Sequence, residues 1–265
     1  MAFQQASHLP LDGKVAIVTG GSRGLGAGMA QELAIRGASV IIVYTSERSA
    51  GLADNVISKI TSLEHKPLAT SIRGDLSTVD DPSKVVDSAL AWLESNARPK
   101  NIHILVNNAG VELVKPLGKI TPEDFAKVYD LNVRGALLIT QAVLPYLPAG
   151  GRIINISSVG GRAGFKELGL YCSSKAALEG LTRCWAAELG KNGTTVNAVN
   201  PGPVQSDMLD NIPKYIIDAQ KAATPIENRV GTVEEIAMIV CWLAGEDSKW
   251  VTGQTISASG GWAMY

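Results

Sequence analysis

The chain has 265 residues, 46 % of them hydrophobic and 18 % charged, with a formal net charge of −1. That composition suits a globular chain with a substantial core and excludes a disordered one. Scattered basic residues and near-neutral charge exclude an electrostatic footprint for nucleic acid.

No stretch approaches the roughly 18 apolar residues of a membrane span. The first segment, MAFQQASHLPLDGK, lacks the basic region and apolar run of a secretory signal, so a cytoplasmic protein is expected. Cys172, Cys184 and Cys241 form an odd set without CxxC spacing and read as reduced thiols. His8, His65 and His103 recur at no ligand spacing, so no metal is expected.

After an N-terminal arm (1–12), short β-branched runs alternate with longer helical patterns, the signature of βαβ units in a parallel sheet. Strands are predicted at Lys14–Thr19, Ser39–Tyr44, Asn101–Asn107, Gly151–Ser157 and Thr194–Asn200, with weaker ones at Pro67–Ile72 and Gln254–Ser259. Their near-continuous hydrophobicity implies burial on both faces. Helices are predicted at Gly26–Arg36, Arg48–Thr61, Pro82–Asn96, Pro122–Leu147, Tyr171–Gly190 and Val233–Ala244. Thr121 and Thr232, each followed by early carboxylates, are good helix starts.

The alternation is unbroken, so residues 13–265 read as one α/β domain, a Rossmann-like, doubly wound parallel sheet of about seven strands with helices on both faces. The proline-rich excursion after the fifth strong strand (203–230) reads as a substrate lid, a surface excursion being the alternative.

The first strand runs into TGGSRGLG and then a helix. Unpaired N–H groups at a helix N-terminus suit a pyrophosphate, and Gly20, Gly24 and Gly26 would permit the tight turn and close approach it needs. The G-x-x-x-G-x-G spacing departs from the common G-x-G-x-x-G fingerprint, and alone the loop could be a glycine-rich turn. The second strand ends in Tyr44-Thr45-Ser46 with no carboxylate before Glu47. An acid there would accept from a ribose 2′-hydroxyl; its absence, with Arg23 in the loop, points to a 2′-phosphate and NADP(H).

Tyr171 and Lys175 stand one helical turn apart, and an ammonium near a phenol is expected to lower its pKa. Ser158, at a strand end, could bond the same substrate oxygen. Alone, a YxxxK pair is usually a surface pair. The case rests on the ordered combination of TGGSRGLG, GDLS (74–77), NNAG (107–110), LNV (131–133), ISS (156–158), YCSSK (171–175) and NPGPVQSDM (200–208).

That combination resembles the short-chain dehydrogenase/reductase family from about Gly13 to Gly261. The resemblance implies that Ser158, thirteen positions before Tyr171, is the family's serine, that Tyr171 is the general acid, and that Lys175 tunes Tyr171 and holds the nicotinamide ribose. Asn132 would keep a relay water, and Asn107 would steady the central sheet.

The implied cofactor, NADPH, would contact Gly20, Ser22, Arg23, Gly24, Leu25, Gly26, Tyr44, Thr45, Ser46, Asp75, Leu76, Asn108, Ala109, Gly110, Pro201, Gly202, Val204 and Ser206, besides Tyr171 and Lys175. Asp75 would accept from the adenine amino group. Candidate substrate walls are Val111, Glu112 and Leu113; Arg162, Phe165 and Leu168; and Met208, Ile212 and Tyr215.

The chain is similar to fungal hydroxynaphthalene and versicolorin reductases and to bacterial 3-oxoacyl-carrier-protein reductases. Without a basic patch for a carrier protein, a small polycyclic or aliphatic ketone is expected. The bulky ending Trp262-Ala263-Met264-Tyr265 suggests a tail packed on a neighbour or a pocket rather than a frayed end. The family also implies a homo-oligomer, commonly a tetramer. Two other readings stay open: a relative recruited to dehydration, isomerisation or cyclisation with auxiliary NADP(H), and a nucleotide-binding scaffold without turnover.

Overall fold

In the computed structural model, which describes residues 9–205 and 214–265, seven parallel strands form one sheet. They are β1 (Val15–Thr19), β2 (Ser39–Tyr44), β3 (Ala69–Arg73), β4 (Ile104–Asn107), β5 (Arg152–Ile156), β6 (Thr195–Pro201) and β7 (Thr255–Ala258), in the spatial order β3-β2-β1-β4-β5-β6-β7. The chain winds outward from β1 to β3, then returns to place β4 on the other side of β1. The crevice at that reversal, beyond the carboxyl ends of the strands, is where such sheets take ligands.

The five inner strands bury both faces, successive side chains pointing to opposite sides, while the edge strands β3 and β7 are only partly buried. Ala16 and Val18 of β1, with Val40 and Ile42 of β2, join one core cluster, while Val15, Ile17, Ile41 and Val43 join the other. The first cluster is closed by α1 (Gly24–Ile35), α2 (Ala50–Thr61) and α8 (Val233–Ala244) through Met29, Leu33, Val56, Ile60, Ile236 and Val240. The second is closed by α3 (Asp81–Ser95), α5 (Ala136–Val143) and α6 (Gly169–Leu189) through Val85, Leu93, Ile139, Val143 and Trp185. Leu11 also lies in the first cluster, and its N–H donates to the Arg36 carbonyl (2.8 Å).

The strand predictions are met with small shifts. β3 starts at Ala69 rather than Pro67, which has no N–H to give a ladder. Thr121 and Thr232 head α4 (Pro122–Tyr129) and α8 with complete capping boxes, reciprocated by Asp124 and Glu235.

Two helical expectations need correction. The helix predicted over Pro122–Leu147 is divided, with a π-helical turn at Asp130–Gly135 between α4 and α5 and a 3-10 turn from Leu144 to Tyr146, where Pro145 interrupts it. Gly135 is pressed against Leu76, where a Cβ would stand 2.5 Å from the Leu76 carbonyl oxygen. Within the excursion read as a lid, Lys214–Ala222 is a helix, α7, that the proline-rich composition concealed. The Val204–Gly231 bridge ties the excursion at its base. No helix of the described residues is long and apolar enough to cross a membrane.

Candidate active site

The carboxyl ends of β1 and β4 are stitched together by side chains. Thr19 Oγ1 accepts from the N–H groups of Asn108 (2.9 Å) and Ala109 (3.0 Å). Asn108 Nδ2 donates to the carbonyls of Thr19 (2.8 Å) and Gly20 (3.2 Å). The glycine loop is thereby held against NNAG. It also meets the end of β2, where Gly21 N–H donates to the Val43 carbonyl (3.0 Å).

Gly20 and Gly24 have positive φ (64° and 53°), which side-chain-bearing residues rarely adopt. At Gly24 a Cβ would meet nothing, whereas at Gly26 it would collide with the Gly20 carbonyl. Gly24 therefore serves backbone conformation, and Gly26 serves contact between α1 and the turn. No side chain caps the start of α1, whose N-cap is the exposed, extended Arg23. Its first N–H groups carry the partial positive charge that suits an anion.

Thr45 lies exposed just beyond β2, and Ser46 Oγ pairs with Ser49 Oγ at 3.3 Å. Glu47, the first acid after β2, is engaged by Arg73 Nη1 at 2.6 Å. Beyond β3, Asp75 accepts from the N–H (3.0 Å) and Oγ (2.7 Å) of Ser77 through a single carboxylate oxygen, and Leu76 is buried beside Gly135.

The second group of predicted residues gathers at the ends of β4 and β5 and the start of α6. Lys175 is buried and its Nζ donates to the Ile156 carbonyl (2.7 Å). A Cβ on Gly110 would stand 3.2 Å from Asn132 Oδ1 and 3.4 Å from Lys175 Nζ, so the absent side chain lets these groups converge. Ser158, in extended backbone, accepts from Gly160 N–H (3.1 Å) and is hydrogen-bonded to Tyr171.

The π turn carries Asn132, whose amide accepts from Val111 N–H (2.8 Å) and donates to the Val111 carbonyl (2.9 Å) and Ser174 Oγ (3.0 Å). Both ends of that amide already have protein partners. Asn107 Nδ2 bonds Thr140 and Asn155 across the sheet centre, in keeping with a structural place. Gly202 is packed against Ser259 and donates to the Ala258 carbonyl (3.0 Å), which fixes the turn after β6. Ser206, Met208 and Ile212 lie outside the described residues.

The electrostatics correct one expectation. Burial pushes the Tyr171 phenol up to about 12, against the opposing effect of its Ser158 bond and with smaller upward contributions from Glu112 and Cys172. Lys175 Nζ donates to the Ile156 carbonyl while lying over the Tyr171 ring, 5.7 Å from its centroid, and the net direction on the phenol is upward. Burial brings Lys175 itself down to about 8.

Between that value and the usual 10.5, the unfolded chain holds a proton at Lys175 that the native chain has lost. Stability therefore rises with pH from about 8 to 10.5, and the full burial penalty applies below that window. Tyr171 acts in the opposite sense from about pH 10 to 12, where the unfolded phenol has ionised and the native one has not. Urea denaturation at pH 7.5 and 9.5 should show the wild type gaining stability relative to Lys175→Met; an unchanged difference would contradict the assignment.

Sequence reasoning passed over Glu179, one turn beyond Lys175 on α6 and buried. Its carboxylate accepts from Arg162 Nε (2.8 Å), Asn200 Nδ2 (2.7 Å) and, at 3.4 Å, Ser157 Oγ. Asn200 Nδ2 also bonds the Tyr265 hydroxyl (2.7 Å), and Arg162 lies 4.4 Å over the Tyr265 ring. Trp262 packs on Phe165 at 5.6 Å between centroids. The bulky tail thus closes on the loop between Ser158 and Tyr171, as its composition suggested. The i, i+4, i+8 spacing of Tyr171, Lys175 and Glu179 was the available signal. Leu168 occupies the N-cap position of α6 without a side-chain bond, whereas Tyr215 on α7 is largely exposed.

Comparisons with known proteins give the family of the chain. A family profile described as enoyl-(acyl carrier protein) reductase matches residues 20–263. A short-chain dehydrogenase/reductase of a Cladobotryum species is 41 % identical over 255 residues, covering 94 % of this chain and 95 % of its own. A hydroxynaphthalene reductase of Aspergillus fumigatus is 38 % identical over 263 residues, covering 95 % and 93 %. Among solved structures, an angucycline C-6 ketoreductase with bound NADP superposes with a TM-score of 0.88 at 32 % identity, over 95 % of this chain and 96 % of that one.

Proposed function

Because the chain belongs to the short-chain dehydrogenase/reductase family and is one of its oxidoreductases, we propose that it is an NADPH-dependent ketoreductase acting on a small or polycyclic ketone, in keeping with a role in secondary metabolism. The observation that carries this reading is the convergence of Ser158, Tyr171 and Lys175 beside the glycine cradle. The relatives that reduce hydroxynaphthalenes and angucyclines support the substrate class.

The residues present fit the dinucleotide. The uncapped start of α1 and the tight turn that Gly20, Gly24 and Gly26 permit suit its pyrophosphate. Arg23, Thr45 and Ser46 offer a cation and hydroxyls to a 2′-phosphate, and Glu47 is already engaged by Arg73. Asp75 has one carboxylate oxygen left for an adenine amino group. Gly110, Lys175, Pro201 and Gly202 would border the nicotinamide end, with Val204 beside them. When bound, NADPH supplies the hydride; the protein supplies position and a proton.

A phenol with a pKa of about 12 remains protonated through the neutral range, so Tyr171 is set to donate its proton to a substrate carbonyl oxygen. Ser158 holds the same oxygen. Lys175, near 8, can return a proton to the site and keep it positively charged at neutral pH. Asn132, its amide committed to Val111 and Ser174, holds the loop after β4 in place. Any water at that turn would have to meet its backbone.

In the same reading, residues 13–265 form one reductase domain and residues 203–230 a substrate lid, whose base the Val204–Gly231 bridge ties and of which residues 206–213 lie outside the described residues. A cytoplasmic homotetramer is included, for which the exposed Phe125, Met238, Trp242 and Trp250 supply apolar surface.

The test is loss of NADPH absorbance with a panel of monocyclic and bicyclic ketones. Preference for NADH would contradict the cofactor assignment. Arg23→Ala should reduce kcat/KM for NADPH about tenfold and leave NADH almost unaffected, the scale of one charged hydrogen bond. Equal losses with both nucleotides would remove Arg23 from the 2′-phosphate site.

A further inference from the structure

The loop leaving β4 contains a carboxyl group that the mechanism above does not use. Val111 is clamped at both its N–H and its carbonyl by the Asn132 amide, so the next residue, Glu112, is set on rigid backbone beside the reacting groups. Glu112 is half-buried, and its charge acts on both Tyr171 and Cys172.

Nearby cations are spent elsewhere. Lys115 pairs with Asp124, Arg162 with Glu179 and the Tyr265 ring, and Lys175 with the Ile156 carbonyl. Among the described residues, no side-chain or backbone donor is bonded to Glu112. Burial accordingly pushes its carboxyl above the ordinary range.

We propose that Glu112 is a specificity-determining residue that receives a hydrogen-bond donor, a protonated amine or a hydroxyl, carried by the ketone substrate. The proposal rests on the ketoreductase reading, because the ketone must already be docked with its carbonyl at Tyr171. A carboxylate partly withdrawn from water and left without a partner is an unfavourable state that a substrate donor relieves. A site built to bond such a donor discriminates strongly against the isostere lacking it.

A cation is favoured twice. It meets the carboxylate directly, and it offsets the charge that opposes ionisation of Tyr171, so proton donation becomes easier as well as binding tighter. A cationic ketone should therefore gain in kcat as well as in KM. A hydroxyl ketone should gain mainly in KM.

The experiment uses matched ketones in two ring systems. The first set is cyclohexanone, 4-hydroxycyclohexanone and 4-piperidone; the second is 1-tetralone and its hydroxy and aminomethyl derivatives. NADPH oxidation is measured with wild type, Glu112→Gln and Glu112→Leu, and scored on whichever ring system is reduced. The wild type should favour the donor-bearing ketones over the plain one by at least about tenfold in kcat/KM.

Glu112→Gln should keep the preference for the hydroxyl ketone and lose that for the amine. Glu112→Leu should lose both and reduce the plain ketone faster than wild type does, a gain that misfolding cannot produce. Plain and donor-bearing ketones reduced alike by wild type, or ratios unmoved by either substitution, would overturn the role of Glu112 and leave the ketoreductase reading intact. No turnover in either ring system would instead overturn that reading, and the proposal with it.

Discussion

Tyr171→Phe is expected to lower ketone-dependent NADPH oxidation by roughly 10²–10⁴-fold, the range over which a positioned general acid contributes. The substitution removes one oxygen and keeps the ring. The buried aromatic volume is retained, and the folded state loses only the bond to Ser158, worth about 1 kcal/mol. Nucleotide binding, followed by fluorescence, should stay within a few-fold because the glycine loop and Lys175 are untouched. A variant that still reduces ketones within tenfold of wild type would remove Tyr171 from the proton-donor role.

The pH profile separates Tyr171 from Lys175. With the phenol at about 12, Tyr171 remains a competent acid throughout the accessible alkaline range, so it should not set the upper limb. Lys175, at about 8, loses its charge first, and reductive turnover should fall as pH rises through that value.

Much of the fold was legible in the sequence because strands buried on both faces leave a plain record. VAIVT, between glycine-bearing turns, and SVIIVY, which follows one, have few other uses than a central parallel sheet. The reacting residues were legible for a different reason: Tyr171 and Lys175 are local, one turn apart on α6, and Ser158 closes a predicted strand.

What escaped was non-local. Continuous apolar periodicity between Pro122 and Leu147 shows one helix, and nothing in it marks the π turn that carries Asn132 to Val111. The Glu179 cluster joins residues from α6, β6, the loop after β5 and the tail, brought together only by folding. The upward direction of the phenol's pKa was not legible because spacing reports where Lys175 sits but not how deeply folding buries the Tyr171 hydroxyl. The ammonium itself donates to the Ile156 carbonyl.

The glycine loop offers the second large effect, at Gly26. A Cβ there would collide with the Gly20 carbonyl oxygen and lie 2.6 Å from Asn108 Nδ2. Neither neighbour can yield cheaply. Asn108 is bonded to the carbonyls of Thr19 and Gly20, and α1 is pinned on its far side by α8, where Gly28 meets Val233.

Gly26→Ala should therefore destabilise the protein at the upper end of overpacking penalties, about 3 kcal/mol. It should also move the start of α1 off the turn, weakening nucleotide binding more than tenfold even where the fold survives. Gly24→Ala is the control, since its Cβ meets open space and only the positive φ is strained, at about 1 kcal/mol. Urea unfolding with nucleotide titration reads both variants. Equal losses at the two positions would mean that backbone conformation alone governs the loop. A larger loss at Gly26 would show that the helix must touch the turn for the phosphate cradle to exist.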